Sequence, residues 1–339
     1  MTQEWNSFLA AEGLAADGSR FGGSTEELIA ARDGAVMAPL TDLGLIRASG
    51  ADSAVFLHNL LTNDISGIGP DGARVAGFCT AKGRLLALLL IWREGDDFLL
   101  MLPRDILPVI LKKLSMYVLR SKVKLSDASE EKVLIGLSGA VSPTPTFAQE
   151  LDELERFGVT SIDGTQAIRL DETRWLLVLD PATATSNWQQ LATSARSVGL
   201  GAWHWLEIAA GQPRVVTATQ EAFVPQMLNM ELPAVAGVSF TKGCYPGQEI
   251  VARTHYLGKV KRRTFRARLT TAAVPGTQVY APETGEQHCG AIVSLAPSPA
   301  GGFECLVCVQ VGAVDASEVH VGAPTGEVLE FLQLPYALG

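Results

Sequence analysis

Three apolar runs separated by short turn signals, between residues 75 and 102, constrain this chain more than any other stretch. Residues 75–79 and 85–92 flank Ala81-Lys82-Gly83, and residues 98–102 follow Glu94-Gly95-Asp96. Short apolar runs bounded by Gly, Lys and Asp read as an antiparallel meander. Helices are expected on either side of it. Asp52 is placed to cap one whose apolar face carries Val55, Phe56, Leu60 and Leu61. Pro103 and Asp105 open another, with Leu107, Ile110, Leu111, Leu114 and Val118 at helical spacing.

Further along, residues 132–137 and 175–179 read as strands, and Ser142-Pro143-Thr144-Pro145 as a loop. Helices are expected at 186–198 and at 203–210, the second ended by Gly211 and Pro213. Residues 1–35 are partly helical, with 17–24 expected to be mobile. Beyond residue 260 short alternating segments (265–269, 278–280, 290–295, 303–310) are punctuated by Pro and Gly. That pattern predicts a small C-terminal β-barrel or sandwich, so the fold class is α+β.

The chain has 339 residues, 47% hydrophobic and 19% charged, which gives a globular protein of more than one domain. Its net charge of -9 repels nucleic acid and anionic membranes, so contact with a polyanion needs a local patch. The longest greasy run, residues 85–92, is too short to span a bilayer. The acidic start (Glu4, Glu12, Asp17, Glu26, Glu27) argues against a secretory or transit peptide. Five cysteines, an odd number over a long chain, do not form a disulfide framework. A cytoplasmic, reducing setting with no membrane partner is expected.

The densest chemistry lies at "KGCYPGQE", residues 242–249. Lys242 stands close enough to favour a Cys244 thiolate, and Gly243 and Gly247 let the backbone fold tightly round a ligand. Gln248 and Glu249 add an amide and a carboxylate. The competing reading is a Gly-Pro turn around an inert cysteine. No second Cys or His stands at metal-ligand spacing, so no metal site is expected. A Cys–His pair requires the fold to bring His58, His204 or His255 to the thiol.

Other features carry paired readings. Arg253, Lys259, Lys261, Arg262, Arg263, Arg266 and Arg268 form a basic stretch that either binds a polyanion or makes a solvated strand face. Trp203 and Trp205, flanking His204, either wall a flat ring or belong to the core. Cys305 and Cys308, three apart in an apolar strand, read as structural. Lys82 and Arg84, at a hairpin turn, meet an anionic ligand or water.

"KGCYPGQE" resembles the signature of the YgfZ family of folate-binding proteins, bacterial relatives of mitochondrial iron–sulfur assembly factors. "FLHNLLTNDI" (56–65), "CTAKGRLLALL" (79–89), "AAGQPRV" (209–215), "VPQMLNM" (224–230) and "GKVKRR" (258–263) extend the likeness over roughly residues 38–310. The family is similar in fold to the glycine-cleavage T-protein, an aminomethyltransferase. The resemblance implies three domains around a central cavity that holds tetrahydrofolate or a one-carbon derivative. These would be an interleaved folate-binding αβ domain (36–125 and 215–258), a second αβ domain (126–214) packed with the N-terminal segment, and a C-terminal β-barrel (259–339).

It also implies a role in maintaining iron–sulfur enzymes, tRNA-modifying ones included, with iron–sulfur enzymes or assembly proteins as partners and tRNA reached indirectly. Cys244 and Lys242 would be the reactive pair. Gly243, Tyr245, Gly247, Gln248, Glu249, Arg253, Asn63, Asp64, Lys82, Glu207, Gln226 and Asn229 would line the folate site.

Two departures qualify the T-protein likeness. Where T-proteins place an aspartate after the hairpin glycine, this chain runs Gly83-Arg84-Leu85-Leu86-Ala87-Leu88. Without a carboxylate there, ordinary aminomethyl transfer is not expected. Where the T-protein pattern carries a glutamate for the pterin, this chain has Ala209. Glu207 lies two residues earlier, on another helix face, and reads as a solvated residue. The alternatives are a folate-dependent one-carbon transferase in which Cys244 replaces the acid, and a direct tRNA-binding module.

Overall fold

The computed structural model describes residues 3–141, 149–151, 153–162, 164–258, 260–316 and 318–338; the expected 142–145 loop and Lys259 lie outside them. The chain divides into two compact units threaded through one another in sequence. One comprises Met1–Ala54, Gly67–Arg74 and Leu90–Trp203; the other comprises Val55–Ser66, Val75–Leu89 and His204–Gly339.

In the first unit a mixed sheet runs in the order Arg196–Ser197, Val36–Pro39, Val133–Ser138, Arg174–Leu179, Thr165–Arg169, Val159–Ile162. Val133–Ser138 and Arg174–Leu179 are buried at every position, which is why they read as unbroken apolar runs. The helices Gln3–Ala11 and Pro181–Leu191 contribute Trp5 and Trp188 to this core, edge to face at 5.6 Å. Burying such large rings is among the stronger stabilising contributions a core receives. A second antiparallel set places Leu43–Ser49 between Asp97–Pro103 and Lys124–Asp127, with residues 90–94 pairing onto Asp97–Pro103. The last two runs of the expected meander therefore pair as neighbours.

Several boundaries differ from expectation for local reasons. The helix expected at 186–198 is Pro181–Leu191, because Asp180 accepts from the Ala182 N–H at 2.9 Å and Pro181 sits in the first turn. Its expected tail at 196–197 instead pairs in parallel with Val36 and Met37. Asp52 accepts from the Lys122 N–H at 2.7 Å, so the capping assigned to it is replaced by a contact with a distant loop. The helix that follows is Ser53–Leu60; Phe56, Leu60 and Leu61 are buried, and Val55 is exposed. Helix Leu107–Ser115 buries Leu107, Ile110 and Leu114, while Val118 lies beyond its end.

The 17–24 stretch, expected to be mobile, is tied down. Glu27, 2% exposed, accepts from the N–H groups of Phe21 and Gly22 at 2.7 Å and of Gly199 at 2.8 Å. Trp203 is core, its ring against Gly136 with the Arg174 guanidinium 5.6 Å from its centroid. Trp205 is also buried, so the ring-wall reading gives way to packing.

In the second unit, strand residues 75–79 and 85–89 are joined by a tight turn in which the Thr80 N–H donates to Arg84 O at 2.8 Å. Gly83 takes φ +68° there, a conformation L side chains rarely adopt. The C-terminal part is a curled antiparallel half-barrel in the order His320–Val321, Gln278–Tyr280, His288–Pro297, Phe303–Gln310, Arg262–Leu269, Glu330–Leu332. Cys289, Cys305, Val307, Val309 and Ala267 are among the side chains at its core. Burial pushes the Cys305 and Cys308 thiols up to about 12, which leaves both inert, as their strand positions predicted.

Candidate functional site

The cysteine loop is anchored at both ends within the second unit. At its far end Gly247, with φ +82°, opens the helix Gln248–Leu257. A Cβ on Gly247 would meet Thr80 O at 2.5 Å and Gly83 Cα at 2.6 Å, so only glycine lets the hairpin turn close against the helix start. Gln248 finishes the turn, its side-chain oxygen accepting from the Tyr245 N–H at 3.3 Å.

At the near end Lys242 reaches into the C-terminal end of helix Ser53–Leu60. Its ammonium donates to His58 O, and to Leu61 O at 2.7 Å. Carbonyls at a helix end carry no partner within the helix and attract a cation. The Tyr245 ring lies under the same Nζ at 4.8 Å. Burial lowers the Lys242 pKa to about 8, against the opposing pull of Asp64 and Cys244. Tyr245 is itself buried, and its phenol is pushed up by burial, with the Cys79 charge adding to that.

Between these anchors Cys244 is exposed, in contrast to Cys79, Cys289, Cys305 and Cys308, all buried. His58 stands beside the loop: a Cβ on Gly243 would lie 3.9 Å from its Nε2. Its other ring nitrogen, Nδ1, is 3.0 Å from Asp64 Oδ1. His58 is the residue that motif reading left out of the site. The only sequence signal for it was its appearance among three candidate partners for the thiol. His255 instead stacks on Phe240, centroids 3.7 Å apart, with the exposed Tyr256 edge-on to both rings.

The remaining expected site residues separate into framework and surface. Asn63 donates to Val75 O and Ala236 O, both at 2.8 Å, tying the chain after Ser53–Leu60 to the hairpin strand. Asn229, in the left-handed region at φ +57°, donates to Thr264 O at 2.8 Å and accepts from Arg263 at 3.3 Å. Gln226 donates to Val251 O at 2.6 Å, while its Oε1 is buried without a hydrogen-bond partner among the described residues. Glu207, read as solvated, is instead half-buried and ion-paired with Arg214 at 3.2 Å. Lys82, Glu249 and Arg253 are exposed. Arg84 donates to Ala222 O at 2.7 Å rather than facing only solvent.

Three of the seven residues in the basic stretch are neutralised from within. Arg263 pairs with Glu231 at 2.9 Å, Arg266 with Glu304 at 2.6 Å and Arg268 with Glu330 at 3.5 Å. Among the described residues no group of three or more His, Cys, Asp or Glu side chains is placed to hold a metal ion. Nor, among them, is any helix long and apolar enough to cross a membrane.

No family model matches the chain. A curated protein from Colwellia psychrerythraea (strain 34H), named tRNA-modifying protein YgfZ, is 34% identical over 231 residues, 67% of this chain and 69% of that protein. The protein of the same name from Vibrio vulnificus (strain YJ016) is 33% identical, covering 72% of each chain. Among solved structures, the glycine cleavage system aminomethyltransferase T from Bartonella henselae superposes with a TM-score of 0.79. It covers 100% of this chain and 98% of its own at 16% identity, a likeness of fold.

Proposed function

The chain belongs to the YgfZ family, and from that premise we propose that it is a folate-binding accessory protein acting in tRNA modification. In this reading it keeps iron–sulfur enzymes of that pathway active through Cys244. The observation that carries the proposal is the contrast among the cysteines. Four are buried, and the one that is exposed sits in a loop held by Lys242, Tyr245 and two glycines against the hairpin. A loop fixed at both ends around a single accessible thiol is what selective thiol chemistry needs.

The folate half has support in the orphaned Gln226 Oε1. A buried acceptor left unpaired costs about 1–3 kcal/mol. An N–H donor of the kind a pterin carries would satisfy it. Lys82, in the turn that closes on Gly247, and Arg253, on the helix Gly247 opens, are exposed cations suited to glutamate carboxylates. Bound folate would supply a one-carbon carrier. What the chain itself supplies is a thiol and a cation, and no carboxylate follows Gly83 to assist an aminomethyl group. That favours an accessory role over ordinary aminomethyl transfer.

Calorimetric titration with tetrahydrofolate on wild type and Cys244→Ala tests both halves. Binding in both proteins is expected, with iron–sulfur enzyme activity in cells lost only in the variant. Absence of binding heat in either protein would remove folate from the reading.

A further inference from the structure

We propose that His58, oriented by Asp64, is the general base that takes the proton of Cys244. This rests on the reading of Cys244 as the working thiol and names the group that activates it. An ionised carboxylate only accepts hydrogen bonds, so Asp64 at 3.0 Å fixes the proton of neutral His58 on Nδ1. The Ser66 N–H, 3.5 Å from the same nitrogen, is the longer and weaker contact. Nε2 therefore carries the lone pair, and it is this nitrogen that lies 3.9 Å from where a Gly243 side chain would begin. Cys244 is the next residue. A nucleophile, a base beside it and a third group orienting the base is the arrangement that activates thiols in hydrolytic enzymes.

Lys242 is the competing activator, and its geometry points elsewhere. Its ammonium is directed at His58 O and Leu61 O, so its protons are committed to holding the loop. It remains close enough that the charges of both Asp64 and Cys244 act on it, which keeps thiol, carboxylate and cation within one neighbourhood. Of the ionisable groups, Asp64 meets the His58 ring and Lys242 meets the His58 backbone carbonyl, while Cys244 follows Gly243 in the loop. Lys242 is a positioning residue, and His58 is the base.

In the step, the Sγ–H bond breaks and its proton joins Nε2, giving a thiolate and an imidazolium. The Nδ1–H stays donated to Asp64, and no electron changes hands. With iodoacetamide as probe, an S–C bond then forms, the C–I bond breaks and iodide leaves. The imidazolium returns its proton to water.

The rate of Cys244 alkylation by iodoacetamide, followed by peptide mass spectrometry across about pH 5 to 10, tests this on the full-length chain. Wild type is expected to show a reactive plateau at low pH followed by a second rise. His58→Gln should lose the plateau and react about tenfold or more slowly near pH 6. Asp64→Asn should fall between them, and added imidazole should restore part of the rate in His58→Gly, which a merely misfolded variant would not show. Superimposable profiles for wild type and His58→Gln, with the plateau retained in both, overturn the base assignment and leave the thiol reading standing. A wild-type profile matching free glutathione, with one rise, overturns both.

Discussion

Lys242 sits where burial and hydrogen bonding pull in opposite directions. Two backbone carbonyls hold its ammonium, while loss of water moves its pKa from 10.5 down to about 8. Below that value the lysine is charged whether the chain is folded or not, and the folded state bears the desolvation cost. Between about 8 and 10.5 the unfolded chain binds the proton and the folded one does not. Stability therefore rises with pH through that window. Urea denaturation at a series of pH values should show this rise in wild type, and Lys242→Met should lack it. The half-exposed setting keeps the effect small. The variant should also lose rigidity in the cysteine loop, read as faster amide exchange at residues 239–247.

At the scale of the element, strand Arg262–Leu269 shows how a run of like charges becomes framework. Glu304 is 2% exposed and receives both Nε and Nη2 of Arg266 on one oxygen, at 2.8 and 2.6 Å, and the Ser298 hydroxyl on the other. Removing one member of such a buried pair strands the other, so Arg266→Leu should cost about 3–5 kcal/mol in urea denaturation. Arg268, whose partner Glu330 is exposed, should cost less than about 1 kcal/mol when changed to Leu. Equal, small losses at both positions would sink this assignment.

The same strand marks the limit of what the sequence discloses. Its alternation announced a strand, but its acids come from other parts of the chain, so a charge pattern read alone left a polyanion site open. The meander was legible because apolar runs and turn residues are local. The start of helix Pro181–Leu191 was misplaced because its cap, Asp180, was not recognised, while Asp52, expected to cap helix Ser53–Leu60, serves a distant loop instead. In the site, the octapeptide announced itself through its own residues. The roles of Asn63, Asn229 and Glu207 did not, since their partners are fixed by tertiary packing.

On the scale of the whole molecule, the second unit is gathered from Val55–Ser66, Val75–Leu89 and His204–Gly339. A fragment spanning only 204–339 lacks the carbonyls of His58 and Leu61 that hold Lys242, and the Thr80–Gly83 turn that receives Gly247. Its half-barrel has a core of its own and should retain protected amides. Residues 224–257 should exchange freely, as hydrogen-exchange mass spectrometry would read. Protection there equal to that of the full chain would show the loop to be self-supporting.

That threading also puts the thiol on a clock during synthesis. His58 leaves the ribosome early, and Lys242, 184 residues later, is what docks the cysteine loop beside it. At ordinary translation rates the interval is roughly 10–40 s. Throughout it the Ser53–Leu60 helix and the 75–89 hairpin wait without their C-terminal partners, and the nascent chain carries the histidine of the site but not its cysteine. The thiol thus emerges long after the histidine of its own site, and the helix end and turn that will hold it are already made.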